Sequence, residues 1–448
     1  MRRHRESGKA NHPGPWTWGL PSRRHFLRAA GIVGLASLTP LDGWPVSGGP
    51  GGFLSEFFAF DREIQKFMEA RNIPGGALAV VKDRRLVYTR GYGWADRENK
   101  IPVKPASLFR IASVAKPFTA VAVLKLVEED NLSLDARVFD LLASGTDAPK
   151  PTVGKPDERL KQITVQHLLH HTGGWDRDKS FDPMFRARQI AKALGIASPP
   201  APRDIIRYML GQPLDFDPGT RYAYSNFGYC ILGRVIEKIA GVSYEKFVQD
   251  KVLAPIGIKR MRIGASLEDN RADGEVRYYT PHNETAENVF DEKPRQVPGP
   301  YGGFCLESMD AHGGWIASAV DLARFAAAFH DPEHCPLLKP ETIRALHAPP
   351  APPVSRNDDG SLKDHYYACG WLVRPVGKAG MANYGHTGSL PGTCTLLVRR
   401  WDGLSWAVLF NQRSEDDRLP DNEIDPALHR AADAVTEWPK FDLFRQYR

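Results

Sequence analysis

Runs of strand-forming residues stand near the two ends of this chain, and the long stretch between them reads mostly as helix. Residues 77–81 and 86–88 flank the polar turn Lys82-Asp83-Arg84-Arg85, a hairpin pattern, and strand-type runs return only at 366–373, 393–399 and 405–410. Helical patterns fill the interval, at 165–170, 203–210, 227–240, 243–253 and 320–329. Short strands so far apart bury their faces most economically by pairing with one another. This predicts an α/β (α+β) fold, an antiparallel sheet built from the two chain ends and interrupted by an all-helical insertion. Amphipathic helices at 53–70 and about 427–437 flank that sheet, and an apolar helix at 113–129 is fit for burial. We therefore expect a catalytic unit over 53–448, with 53–135 and 331–448 forming the sheet domain and 136–330 the mostly helical one. A length of 448 residues is ample for this, at roughly 150 residues per subdomain.

The net charge of +6 raises the question of an anionic partner. Residues 1–45 carry seven basic and two acidic residues, so this segment holds +5 and the rest of the chain about +1. The body gives no electrostatic case for nucleic acid. Ser22-Arg23-Arg24-His25-Phe26-Leu27-Arg28 precedes a weakly apolar stretch, 29–38, too short for a ~30 Å hydrocarbon core. That pattern is similar to a bacterial twin-arginine signal, which predicts export, a periplasmic or secreted product and no stable membrane span. The five cysteines, Cys230, Cys305, Cys335, Cys369 and Cys394, show no metal-ligand spacing and read by default as buried free thiols, although an oxidising compartment would permit a bridge. We expect neither metal nor cofactor; the oligomeric state is left open.

Three short motifs carry chemistry. Ser113-Val114-Ala115-Lys116 places a hydroxyl and an amine at i and i+3, on one face of a helix start, where unpaired backbone N–H groups can meet an oxyanion. Apolar neighbours Ala112, Ala115 and Phe118 favour a lysine of lowered pKa, able to take the serine proton. A second copy, Ser243-Tyr244-Glu245-Lys246, begins an amphipathic helix and reads as an N-cap. Tyr224-Ser225-Asn226 follows a turn, so phenol and amide can share one cleft or merely pack and cap. His386-Thr387-Gly388 lies at a strand edge or its entry, where the histidine can donate to substrate and the glycine admits close approach. Its duplicate, His171-Thr172-Gly173, ends a helix and reads as structural.

Taken in order, Ser-x-x-Lys, Tyr-x-Asn and His-Thr-Gly resemble the serine β-lactamase and penicillin-binding-protein superfamily, in its class C-like branch. The likeness extends through 109–120, 168–174, 218–226 and 313–318. It implies the β-lactamase/transpeptidase-like fold and a covalent acyl-enzyme route without cofactor. By the same resemblance Ser113 would be the nucleophile and Lys116 its base, Tyr224 a second proton carrier and Asn226 an orienting amide. His386 would complete a hydrogen-bond chain to Tyr224, the backbone N–H groups of Ser113 and Ser389 would form the oxyanion hole, and Thr387 and Gly388 would line the substrate.

The expected substrate is a small ester, amide or peptide. Histidine at 386 in place of lysine removes a fixed cation for a substrate carboxylate, and no arginine immediately follows Ser389. This favours a carboxylesterase or broad β-lactamase-related hydrolase over a D-alanyl-D-alanine carboxypeptidase, D-amino-acid amidase or β-lactamase. A non-enzymatic alternative is a catalytically silent, penicillin-binding-like protein that only holds ligand. An α/β-hydrolase requires a Gly-x-Ser-x-Gly elbow, which the sequence lacks.

Overall fold

The computed structural model describes residues 46–48, 57–143, 153–377, 380–413 and 421–447. The twin-arginine segment and the start of the first expected helix lie outside them. The eight main strands are β1 (Val46–Gly48), β2 (Gly75–Lys82), β3 (Arg85–Asp96), β4 (Tyr366–Tyr367), β5 (Leu372–Pro375), β6 (Ala382–Leu390), β7 (Thr393–Arg399) and β8 (Leu404–Phe410). They form one sheet in the order β1-β3-β2-β8-β7-β6-β5-β4, with the short strand Ile101–Pro102 pairing β3 as a ninth. Each of these pairings is antiparallel.

The two chain ends meet at β2 and β8, in register from Gly76 opposite Phe410 to Lys82 opposite Leu404. Asn411, fully buried, secures that seam: its Oδ1 accepts the Gly75 N–H at 2.8 Å, and its Nδ2 donates to the carbonyls of Trp94 and Arg277. Both faces of the sheet are covered, so its central strands are apolar at successive positions rather than alternating. Leu78, Val80, Trp406 and Val408 point toward α1 (Phe58–Glu69) and α5 (Asp421–Asp433). Ala77, Ala79, Ala407 and Leu409 belong to the opposite core, shared with α2 (Ala115–Glu128), α3 (Asn226–Ala240) and α4 (Ala319–Ala327).

Several expectations shift. The insertion is not all helical: its Arg262–Ile263 and Trp315–Ala317 form a small sheet with Phe109–Arg110, and Thr285–Glu287 pairs Gln296–Pro298. Nor does it end at 330 as a separate layer, because α4 packs on β2 and β8 of the main sheet. The single strand expected at 366–373 is two, β4 and β5, separated by a turn in which Gly370 takes φ +75°. Cys335 is half-buried and the other four cysteines are buried.

Candidate functional site

The segment leading to Ser113 is held from several sides. Ile111 N–H donates to the Trp315 carbonyl, while Thr393 and Thr395 of β7 donate their hydroxyls to the carbonyls of Arg110 and Ile111, at 2.8 and 3.0 Å. Ala112 then takes φ +47°, a conformation strained for a residue with a Cβ, and a 3₁₀ turn, Ala112–Val114, runs into α2. Strain persists only where surroundings enforce it, and here the threonine pair and the small sheet do so. Ser113 thereby stands just ahead of a helix start, at the edge of β6 where β5 has ended: β5 reaches only Leu372, opposite Gly385. From His386 to Leu390 that edge has no strand partner among the described residues and faces the Ser113 turn.

Lys116 is completely buried. Its Nζ lies 3.0 Å from Ser113 Oγ, 2.8 Å from Asn226 Oδ1 and 2.9 Å from the His312 carbonyl. Burial, with Arg177 nearby, pulls its amine well below the ordinary lysine range. Tyr224 is hydrogen-bonded to Ser113, and its ring lies under Lys116 Nζ and the Arg177 guanidinium, each 4.8 Å from the centroid. Burial drives its phenol upward. The two groups flanking the serine hydroxyl are thus pushed apart, the amine toward its free-base form and the phenol toward its acid form. Ser113, Lys116, Tyr224 and Asn226, read from two distant motifs, come together in one cluster.

His386 departs from expectation. Burial lowers it to about 3, so the imidazole is neutral. Its Nδ1 lies 2.6 Å from the Thr387 carbonyl, an acceptor, so this nitrogen carries the proton; Nε2 then accepts from Tyr367 O–H at 2.8 Å. Both ring nitrogens are engaged, neither donates to a substrate, and the chain expected to lead to Tyr224 runs to Tyr367. The Tyr224 and His386 rings are 6.4 Å apart between centroids. Gly388 is corrected as well. A Cβ there would sit 2.2 Å from the Ile111 carbonyl oxygen, so the missing side chain makes room for the Ser113 turn and not for a substrate. Thr387 is buried beside it, and Ser389, half-buried, continues the free edge of β6.

The duplicate motifs are placed differently. Ser243 Oγ caps its helix by accepting the Lys246 N–H, and Lys246 Nζ pairs with exposed Asp250. His171 supports the site from behind: its Nδ1 accepts the Ser225 N–H at 3.2 Å and its ring packs 4.3 Å from that of Tyr224. Three residues escaped sequence reasoning. Asp182 accepts the Asn226 Nδ2–H at 2.7 Å, Arg177 stacks on Tyr224, and Tyr367 binds His386. Asp182 and Arg177 lie in aperiodic loop, where only an Asp-Pro helix-start signal was visible. No cluster of metal-ligating side chains occurs among the described residues, and no helix there is long and apolar enough to cross a membrane.

The chain is similar to known proteins over most of its length. Penicillin-binding protein 4* of Bacillus subtilis (strain 168) is 25% identical over 375 residues, covering 82% of this chain and 73% of that protein. The octameric penicillin-binding protein homologue from Pyrococcus abyssi superposes with a TM-score of 0.60 at 26% identity, over 88% of this chain and 80% of the other. D-amino acid amidase from Ochrobactrum anthropi SV3 shares the fold, with a TM-score of 0.62 at 20% identity over 85% and 97% of the two chains. The family model described as Beta-lactamase matches residues 60–429, and the chain belongs to that family of serine hydrolases.

Proposed function

We propose that this chain is an exported serine hydrolase that cleaves small esters or amides through an acyl-enzyme on Ser113. The observation that carries the reading is the opposed pair around one hydroxyl: a buried lysine driven toward the free amine and a buried tyrosine held as the phenol. In acyl-transfer chemistry such a pair supplies a base and an acid together. Lys116 takes the Ser113 proton as Oγ attacks the carbonyl, and Tyr224 passes a proton to the leaving group. The developing oxyanion is met by the backbone N–H groups of Ser113 and Ser389. Water then attacks the ester formed on Ser113, with the same groups acting in reverse.

The preferred substrates are neutral esters, because no lysine stands at 386 and His386 is uncharged. Arg177 supports a second reading. It lies against Tyr224 with about a third of its side chain exposed, and its carboxylate contact with Asp178 is long, 3.9 Å. A cation there suits a carboxylate-bearing substrate such as a D-alanyl peptide. The test is intact-mass measurement after incubation with a fluorophosphonate or penicillin, followed by kcat/KM for p-nitrophenyl esters, a chromogenic cephalosporin and D-alanyl peptides. A covalent adduct absent from Ser113→Ala supports the enzyme; tight ligand binding with no adduct from any acylating probe favours the silent binding protein. Arg177→Ala lowers peptide turnover selectively only under the second reading. Export is tested separately, by replacing Arg23 and Arg24 with lysine and following the protein in the periplasm.

A further inference from the structure

Lys116 Nζ meets three oxygens. Two of them, Asn226 Oδ1 and the His312 carbonyl, accept hydrogen bonds and cannot donate. A free amine has two protons and one lone pair. If both protons go to those two acceptors, the lone pair is left for the third neighbour, Ser113 Oγ, at 3.0 Å. The direction of the base is therefore set by which end of the Asn226 amide faces Lys116. Reversed, the amide offers N–H to the lone pair, and the base is turned away from the serine.

Nothing in the amide itself fixes this choice. Asp182 does, because its Oδ2 accepts the Asn226 Nδ2–H at 2.7 Å and a carboxylate cannot accept from the oxygen end. We propose that Asp182 is a positioning residue for acylation: by holding the Asn226 amide in one orientation it aims the lone pair of Lys116 at Ser113. The proposal rests on the reading of Ser113 and Lys116 as nucleophile and base. Asp182 also accepts the Met184 N–H through Oδ1, capping a short turn, so the two oxygens have separate duties.

Three replacements separate acceptor, charge and cap. Asp182→Asn has one oxygen where Asp182 has two: turned to Asn226 it keeps that acceptor, but it loses the charge and the Met184 cap. Asp182→Leu loses all three, and Asp182→Ser keeps a capping oxygen for Met184 on a side chain too short to reach Asn226. The other groups facing Lys116 are Arg177, His171, His312, His386 and Tyr224, and of these the Tyr224 phenol also loses the upward push of the Asp182 charge. Asp182 raises the affinity of Lys116 for its proton, so removing its charge moves the acid limb of the acylation profile to lower pH.

The experiment measures the pH profile of acylation of the full chain by a fluorophosphonate and kcat and KM for a p-nitrophenyl ester. Asp182→Asn is expected to keep the plateau within about threefold, with its acid limb displaced to lower pH. Asp182→Leu and Asp182→Ser are expected to lose about 10- to 100-fold in plateau rate and kcat with KM nearly unchanged, as a base out of line would. Asp182→Ser keeps the test sound should the leucine variant fail to fold. Asparagine as impaired as serine, or serine at the wild-type plateau, overturns the positioning role alone. Failure of the unaltered chain to form any adduct on Ser113 overturns the enzymatic reading and this proposal together.

Discussion

The chain holds two Ser-x-x-Lys tetrads with the same spacing and unlike surroundings. Ser243 lends its oxygen to its own helix start, and Lys246 reaches into water to pair with Asp250. Ser113 stands on a strained turn, and Lys116 is sealed among acceptors with no carboxylate at salt-bridge distance among the described residues. Motif spacing supplies proximity in both cases, but only burial turns a lysine into a base. The His-Thr-Gly duplicates teach the same lesson: one lies where a glycine must meet a carbonyl oxygen, the other where a histidine props the loop of Tyr224.

The contrast is broken most sharply at the serines. Ser113→Ala is expected to lower kcat for an activated ester by more than about 10⁴-fold and to abolish the fluorophosphonate adduct. Lys116→Ala should lose roughly 10²- to 10⁴-fold, while Lys246→Ala stays at wild-type rates in the same assay. Both motif histidines are buried and neutral, so pH does not distinguish them. His386 and His330, lowered to about 3, His170, lowered to about 4, and His171, held well below its usual value, bind protons less readily folded than unfolded. Below the unfolded value of about 6.5 the unfolded chain takes up more protons, so stability present above that pH is lost on acidification. Each such group contributes up to about 1.4 kcal/mol per pH unit, and Tm measured by calorimetry should fall steadily from pH 6.5 to 4.

Gly388→Ala should cost about 1–3 kcal/mol and depress acylation, since the Ile111 carbonyl or the strand has to move. Gly173→Ala meets only side-chain atoms of Leu168 and Trp175, at 3.0 Å and beyond, and should cost less with acylation retained. Smallest is Ser243→Ala, about 1 kcal/mol in denaturant melts, with turnover intact. Loss of turnover in a folded Ser243→Ala protein would reverse the assignment of the two tetrads.

Much of this was legible in the residues. The chain-end strands and the apolar helix after Ser113 follow from period and apolar context, whereas the grouping of Ser113, Lys116, Tyr224 and Asn226 is implied by the resemblance their motifs carry in order. β6 was less so, because Gly385, His386, Thr387 and Gly388 lack the apolar alternation of a strand, and their role depends on the turn that packs beside them. The last helix was expected at about 427–437, yet α5 runs from Asp421 to Asp433 with Pro426 inside it. Asp182, Arg177 and Tyr367 were beyond reach: each gains its meaning from a partner far along the chain.

The seam between β2 and β8 bears on how the protein comes off the ribosome. Gly75 awaits an acceptor 336 residues later in the chain, and until then β2 presents an open edge to other nascent chains. Thr393 and Thr395, which grip the turn beneath Ser113, also arrive late. The late strands thus serve twice: they close the open edge of β2, and they carry the threonines that hold the turn beneath Ser113.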